Sequence, residues 1–140
     1  MGLSDYLFYD SKLAVTAVEL QNLCRYTEWG RSRSVEGIEE MIEKTGMCFS
    51  ARHDARLVGF CRILTDFVYR AMLCDVVVHP DHQGKGLGSA LVDYALTHPA
   101  TAKIPLVMTY TEEWVSFMAS RGFESRGGAM VMLRRPIEYS

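Results

Sequence analysis

No stretch of about 18 apolar residues occurs in the chain, and no basic segment at its start leads into an apolar run, so neither a membrane span nor a secretory leader is read from it. Positive charge is not in excess either. Fifteen Lys and Arg stand against seventeen Asp and Glu, a formal net charge of −2, which gives no long-range pull toward nucleic acid. Cys24, Cys48, Cys61 and Cys74 lack the short spacings that make zinc sites, and they sit mostly among apolar residues. Buried reduced thiols and no metal are therefore expected, with a cytoplasmic location as the corollary. No internal repeat, low-complexity tract or linker interrupts the chain.

What is present has the balance of a globular protein. With 140 residues, 49% apolar and 23% charged, the whole chain 1–140 is read as one domain around one core. Tyr6 to Tyr9 reads as a strand, and Leu13 to Tyr26 carries apolar residues at helical spacing. Ser34 is placed to cap a helix over Val35 to Lys44 that stops at Gly46. Met47 to Arg52 and Leu57 to Thr65 form a hairpin pattern across His53-Asp54-Ala55-Arg56, and Ala71 to Val78 is a further strand ended by Pro80. From Gly86 to His98 the period is helical, with Leu87, Leu91, Tyr94 and Ala95 on one face. Ile104 to Thr109 then reads as a strand, Glu112 to Ser120 as a short helix, and Phe123 to Arg134 as a terminal hairpin turning at Gly127-Gly128. The resulting order, β-α-α-β-β-β-α-β-α-β-β, predicts a mixed sheet with helices on both faces.

The junction between the strand ending at Val78 and the helix after it carries the chemistry. Gly84, Gly86 and Gly88 open that helix. A helix start has unpaired N–H groups and partial positive charge, and glycines let an anion approach the backbone. Spacing excludes two familiar phosphate loops. A nucleoside-triphosphate loop needs Gly-x-x-x-x-Gly-Lys-Ser/Thr, whereas Lys85 is flanked by glycines in another order. A dinucleotide fingerprint needs glycine where Ser89 stands, and belongs to the first strand–helix unit of its fold.

The run Val78-His79-Pro80-Asp81-His82-Gln83-Gly84-Lys85-Gly86-Leu87-Gly88 resembles the GNAT superfamily of N-acetyltransferases, of the small single-domain bacterial type, and the element order is similar over nearly the whole chain. The stretch from Thr65-Asp66 to Gly88 also looks like plant arylalkylamine-acetylating relatives. The resemblance implies an α/β (α+β) GNAT fold, with a mixed, mostly antiparallel sheet of six to seven strands, about four helices on both faces, and a splay between strands four and five. It implies acetyl-CoA as co-substrate, with the amides of Gln83, Gly84, Lys85, Gly86, Leu87, Gly88 and Ser89 on its pyrophosphate. Lys85 either adds charge there or is a solvated loop lysine. Val76, Val77 and Val78 would pair with the pantetheine arm like an added strand, placing the acetyl carbonyl near Val76.

Acyl transfer to an amine needs an uncharged nucleophile, a positioned and polarised thioester, and a proton for the leaving thiolate. Asp75 is the foremost candidate base, as a charge inside an apolar strand beside those valines; it faces either the cleft or a structural hydrogen-bond network. Glu112 and Asp66 are weaker candidates. Many GNAT enzymes carry Asn, Ala and Phe-Tyr in the helix after strand five, with the tyrosine as general acid. Phe117, counted with the coenzyme contacts, and Gly122-Phe123 match this pattern, but Met118 stands at the tyrosine position and Thr111 at the asparagine position. Methionine has no proton to donate, so the step needs a different donor, water, or no dedicated donor; Tyr110, at the end of the fifth strand, is the candidate substitute.

By the same resemblance the acceptor site is walled by two segments. One contains Tyr26, Trp29 and Arg31, the other Asp66, Phe67 and Tyr69; Trp29, Asp66 and Tyr69 are the residues assigned to the acceptor. They would suit an amine with an apolar or aromatic body, on a small molecule or a peptide. The functional expectation is transfer of the acetyl group to a primary amine by direct attack in a ternary complex; the alternative is a non-catalytic or regulatory CoA-binding protein of the same fold. Oligomeric state is not legible, though homodimers are frequent among proteins of this type.

Overall fold

The computed structural model describes residues 2–125 and 130–134. Its elements are β1 (Leu7–Tyr9), α1 (Ala17–Cys24), α2 (Val35–Lys44), β2 (Met47–His53), β3 (Arg56–Thr65), β4 (Arg70–Val78), α3 (Leu87–Thr97), β5 (Leu106–Tyr110), α4 (Val115–Ser120), β6 (Glu124–Ser125) and β7 (Met130–Arg134), with short 3-10 turns between some of them. The seven strands form one sheet in the order β1-β2-β3-β4-β5-β7-β6. Only β4 and β5 run parallel. The expected mixed, mostly antiparallel sheet is therefore what the chain adopts.

Helices cover the two faces over separate apolar layers. On one face Leu87, Leu91, Val92 and Ala95 of α3 and Met118 of α4 pack on Phe49, Val58, Cys61, Ile63, Ala71, Leu73 and Val107. On the other, Leu20, Leu23 and Cys24 of α1 and Ile38 of α2 meet Cys48, Leu57, Phe60 and Val77. Burial pushes the thiols of Cys24 and Cys48 up to about 11, so they stay protonated, and all four cysteines are free.

Local chemistry moves several boundaries from their expected places. The first helix begins at Ala17 rather than Leu13, because Thr16 caps it: its hydroxyl accepts from the Glu19 N–H at 3.2 Å while the Glu19 carboxylate accepts from the Thr16 N–H at 3.3 Å. Residues 12–14 form a 3-10 turn instead, and Leu13 is fully exposed. Strand β5 starts at Leu106 because Pro105 has no N–H for the ladder. Helix α4 starts at Val115, after a turn in which the Thr111 hydroxyl accepts from the Trp114 N–H at 3.0 Å. The terminal hairpin pairs β6 with β7, while the turn expected at Gly127-Gly128 lies outside the described residues. Between β2 and β3, Asp54 and Ala55 both take positive φ, 49° and 68°, the two-residue turn that matches strand twist.

One irregularity shapes the rest. Between β3 and β4, Phe60 faces Val77 but Arg62 faces Cys74, so β4 carries an extra residue, and Asp75 sits there with φ 57°. This β-bulge breaks the alternation of side chains. Leu73 and Val77, four residues apart, consequently belong to different apolar layers.

Candidate active site

The loop before α3 is built on a buried aromatic base. His82 is 8% exposed, and its Nδ1 lies 2.8 Å from the Tyr6 hydroxyl. Burial, then repulsion from His53 and Lys85, holds its pKa below the ordinary histidine value. His79 stops the strand and turns the chain, its Nδ1 accepting from the Asp81 N–H at 3.1 Å. The Gln83 amide then donates to the Val78 carbonyl at 3.0 Å, and the Lys85 ammonium donates to the Asp81 carbonyl at 3.2 Å. Both side chains that could have reached a ligand are used to fold the loop onto itself.

The main chain remains open. Gly84 and Gly86 have φ of 74° and 81°, a conformation that favours glycine, and a Cβ at either would meet nothing within 4 Å. These positions face space. From Gly84 to Ser89 no backbone N–H finds an acceptor among the described residues, and the first bond into the helix is from the Ala90 N–H to the Gly86 carbonyl, 3.0 Å. Consecutive free amides at the start of an eleven-residue helix are a fit for a diphosphate.

Beside this loop the sheet opens. β4 pairs with β5 only from Arg70–Leu106 to Leu73–Thr109. At the apex the Thr109 hydroxyl donates to the Leu73 carbonyl at 2.9 Å. Past it, Cys74 to Val78 pair with no strand on that side among the described residues, so about 13 Å of strand edge, at roughly 3.3 Å per residue, leads from the fork to the phosphate loop. Val76 and Val78 lean on the α3 layer and Val77 on the other. Phe117 of α4 stands at the loop: a Cβ on Gly88 would lie 3.7 Å from the Phe117 ring and 3.7 Å from Val78. The expected coenzyme residues are thus gathered along one line, with Phe117 against its loop end.

The candidates for acid and base have other surroundings. Asp75 is 10% exposed and is held by two guanidiniums: Arg33 Nη1 and Nη2 donate at 2.6 and 3.3 Å, and Arg62 Nε donates at 2.7 Å. Of the two settings left open for it, the structural hydrogen-bond network is the one observed. Tyr110 lies one residue past the apex, 57% exposed, with its hydroxyl donating to Glu112 at 3.1 Å. That bond pushes its pKa up, so it keeps its proton at neutral pH. Met118, at the usual tyrosine position, is 4% exposed and packs in the core.

The acceptor residues divide likewise. Asp66 Oδ1 accepts from the N–H groups of Val68, Tyr69 and Arg70 at 2.8, 2.9 and 3.2 Å, which holds its pKa below the usual value. It shapes the β3–β4 turn. Tyr69 projects from that turn, 65% exposed. Trp29 is 43% exposed, with the Arg33 guanidinium 4.8 Å over its ring, so one ring face already has a cation. Sequence reasoning missed Arg33 and Arg62, although an acid buried in an apolar strand must have partners and two arginines were at hand.

A glycine-opened helix beside a forked β4–β5 edge is a combination that comparison can test. The Acetyltransferase (GNAT) family model matches residues 14–123. The chain belongs to the GNAT acetyltransferase family. It is 30% identical over 122 residues to an uncharacterized N-acetyltransferase, ycf52, of Pyropia yezoensis, covering 84% of this chain and 70% of that protein. A GNAT-family crystal structure from Xanthomonas campestris pv. campestris superposes with TM-score 0.78 at 25% identity, over 86% of this chain and 84% of the other. A GNAT N-acetyltransferase of Escherichia coli solved in complex with CoA has the same fold, with TM-score 0.73 at 16% identity over 93% and 81%. Among the described residues no GNAT helix here is long and apolar enough to cross a membrane, and no group of three His, Cys, Asp or Glu is placed to hold a metal.

Proposed function

We propose that the chain transfers the acetyl group of acetyl-CoA to a primary amine of a small molecule or peptide by direct attack in a ternary complex. The observation that carries this reading is the row of N–H groups from Gly84 to Ser89, unpartnered among the described residues, joined to the β4–β5 fork by one stretch of open β4 edge. In this reading the amides bind the diphosphate, the main chain of Val76, Val77 and Val78 pairs with the pantetheine amides, and Phe117 flanks the loop end of that path. The thioester then lies at the fork, beside Cys74 and Val76.

The amine nitrogen attacks the thioester carbonyl carbon; a C–N bond forms, the C–S bond breaks, and the electron pair leaves on sulfur. The nitrogen gives up one proton and the thiolate takes one. Tyr110 is the donor to the thiolate, being at the fork and protonated. In this reading Asp75, bonded by both Arg33 and Arg62, holds those guanidiniums in place rather than moving the proton. The amine enters uncharged, and water or Glu112 takes its proton.

A second reading, a coenzyme-binding protein without turnover, is favoured by the core burial of Met118 and the commitment of Asp75. Two experiments separate them. In thermal-shift measurements acetyl-CoA raises the melting temperature and ATP and NAD do not; stabilisation by ATP or NAD alone overturns both readings. Thiol release from acetyl-CoA across a broad amine panel supports catalysis, and coenzyme binding without any release supports the second reading.

A further inference from the structure

The face of the sheet on the far side of the fork from α3 combines a cationic corner with an apolar floor. Register fixes the floor: Leu64 pairs with Met72 and Met72 with Met108, so the three share one face, opposite Ile63, Leu73 and Thr109. Tyr110 follows Met108 on it by alternation. Leu64 is 39% and Tyr110 57% exposed, and the two methionines are half-buried. α1 and α2 pack farther along, over Leu57, Phe60 and Val77, and leave this stretch open.

The corner adjoins the floor directly. Arg62 lies two residues before Leu64 on the same strand face, and it shares Asp75 with Arg33. Two guanidiniums against one carboxylate leave one unbalanced positive charge. Arg33 is the accessible member, its side chain 30% exposed, whereas Arg62 is 13% exposed. It is also held in place. Its guanidinium lies over Trp29, and its carbonyl accepts from the Gln21 amide at 3.3 Å. The loop that carries it turns at Gly30, where a Cβ would come within 2.7 Å of the Thr27 hydroxyl oxygen and 2.9 Å of Cys24.

We infer that this corner and floor are an acceptor subsite for an amine that also carries a carboxylate on an apolar body, the chemistry of an apolar α-amino acid. The inference rests on the acetyl-transfer reading, because the fork fixes where the amine must stand. The carboxylate meets Arg33 at its exposed edge, the apolar body lies on Leu64, Met72 and Met108, and the amine points into the fork beside Cys74. The pair's one excess positive charge is what attracts that carboxylate. The same charge works against polyamines and aminoglycosides, which bring several cations to a site that already has one in excess.

The test uses the intact chain in three arms. CoA titration of the wild type and of Arg33→Gln is expected to give equal affinities, since the Arg33 guanidinium bonds Asp75 and lies over Trp29; failure of the wild type to bind CoA would sink the acetyl-transfer reading itself. Next, thiol release is measured with leucine, methionine and phenylalanine, with their amides, with isoamylamine and phenethylamine, and with spermidine. The free acids are expected to show kcat/KM about tenfold or more above the amides and the simple amines. Arg33→Gln is expected to erase that preference by raising KM for the acids, with kcat/KM for the amides unchanged. Asp75 stays paired with Arg62 in this variant, and Arg33→Lys, which retains the charge, should restore part of the preference. Amides or spermidine preferred by the wild type, a preference unchanged in Arg33→Gln, or CoA binding without acetylation of any free acid would each overturn the inference.

Discussion

On the α3 side of the fork the groups offered to a ligand are main-chain N–H groups of Gly84 to Ser89 with no partner among the described residues; on the α1–α2 side they are charged side chains, Arg33, Arg62 and Asp75, already bonded to one another. The first wall is preorganised by glycine dihedrals and needs no side chain. The second is preorganised by ion pairs, so a change in one member alters the others. In the proposed assignment the first is the coenzyme wall, which should tolerate most side-chain substitutions and fail when its backbone is filled, and the second is the acceptor wall, which should behave in the opposite way.

The largest effect that would sharpen the contrast comes from Asp75→Asn. It leaves two guanidiniums side by side with no counter-charge in a mostly buried place, and is expected to cost about 3 kcal/mol of stability, read in urea unfolding. CoA affinity and the pH–rate profile of the folded enzyme should stay as in the wild type. A profile that loses a limb would instead restore Asp75 as base. Close behind is Gly86→Glu, which puts a carboxylate among the free amides and forces a side chain onto φ 81°. Coenzyme affinity is expected to fall on the order of 100-fold, with a fold cost of only about 1–2 kcal/mol.

Tyr110→Phe comes next. Loss of its hydroxyl should lower kcat about tenfold or more without changing CoA affinity, as measured by steady-state kinetics beside titration. An unchanged kcat would leave thiolate protonation to water. Two smaller effects lie away from both walls. Glu19 is held down to about 2, chiefly by its bonds from Arg52, so its contribution is present above the ordinary glutamate pKa near 4.5 and is lost as pH falls through about 2. Glu19→Gln should therefore lower stability by about 1 kcal/mol at pH 7 and flatten that acid limb in pH-dependent unfolding. Ala55→Gly, at φ 68°, should raise stability by about 1 kcal/mol in the same measurement.

The two walls also differed in how far they could be read from residue order. The coenzyme wall depends on where glycines fall relative to a strand end and a helix start, and local spacing records that, so its loop and helix were legible. The fork itself was expected through family resemblance. The acceptor wall depends on the bulge at Asp75, which no local rule placed, and on arginines 42 and 13 residues away in the chain. The buried acid announced that partners existed without naming them. Asp66 shows a related gap: an acid in a loop reads as a ligand group, and residue order did not show that three turn N–H groups bond its Oδ1. The early boundary given to α1 had a local remedy, the Thr16–Glu19 capping box, that helical periodicity alone overrode.

In the proposed reading, backbone amides at the start of α3 grip the coenzyme's diphosphate. Amide proton–nitrogen spectra of the labelled chain, recorded with CoA and then with pantetheine, test it most directly. The prediction is that CoA shifts the signals of Gly84 to Ser89 more than any others, and that pantetheine, which lacks the diphosphate, leaves them in place. Saturating CoA with those six signals unmoved would contradict it.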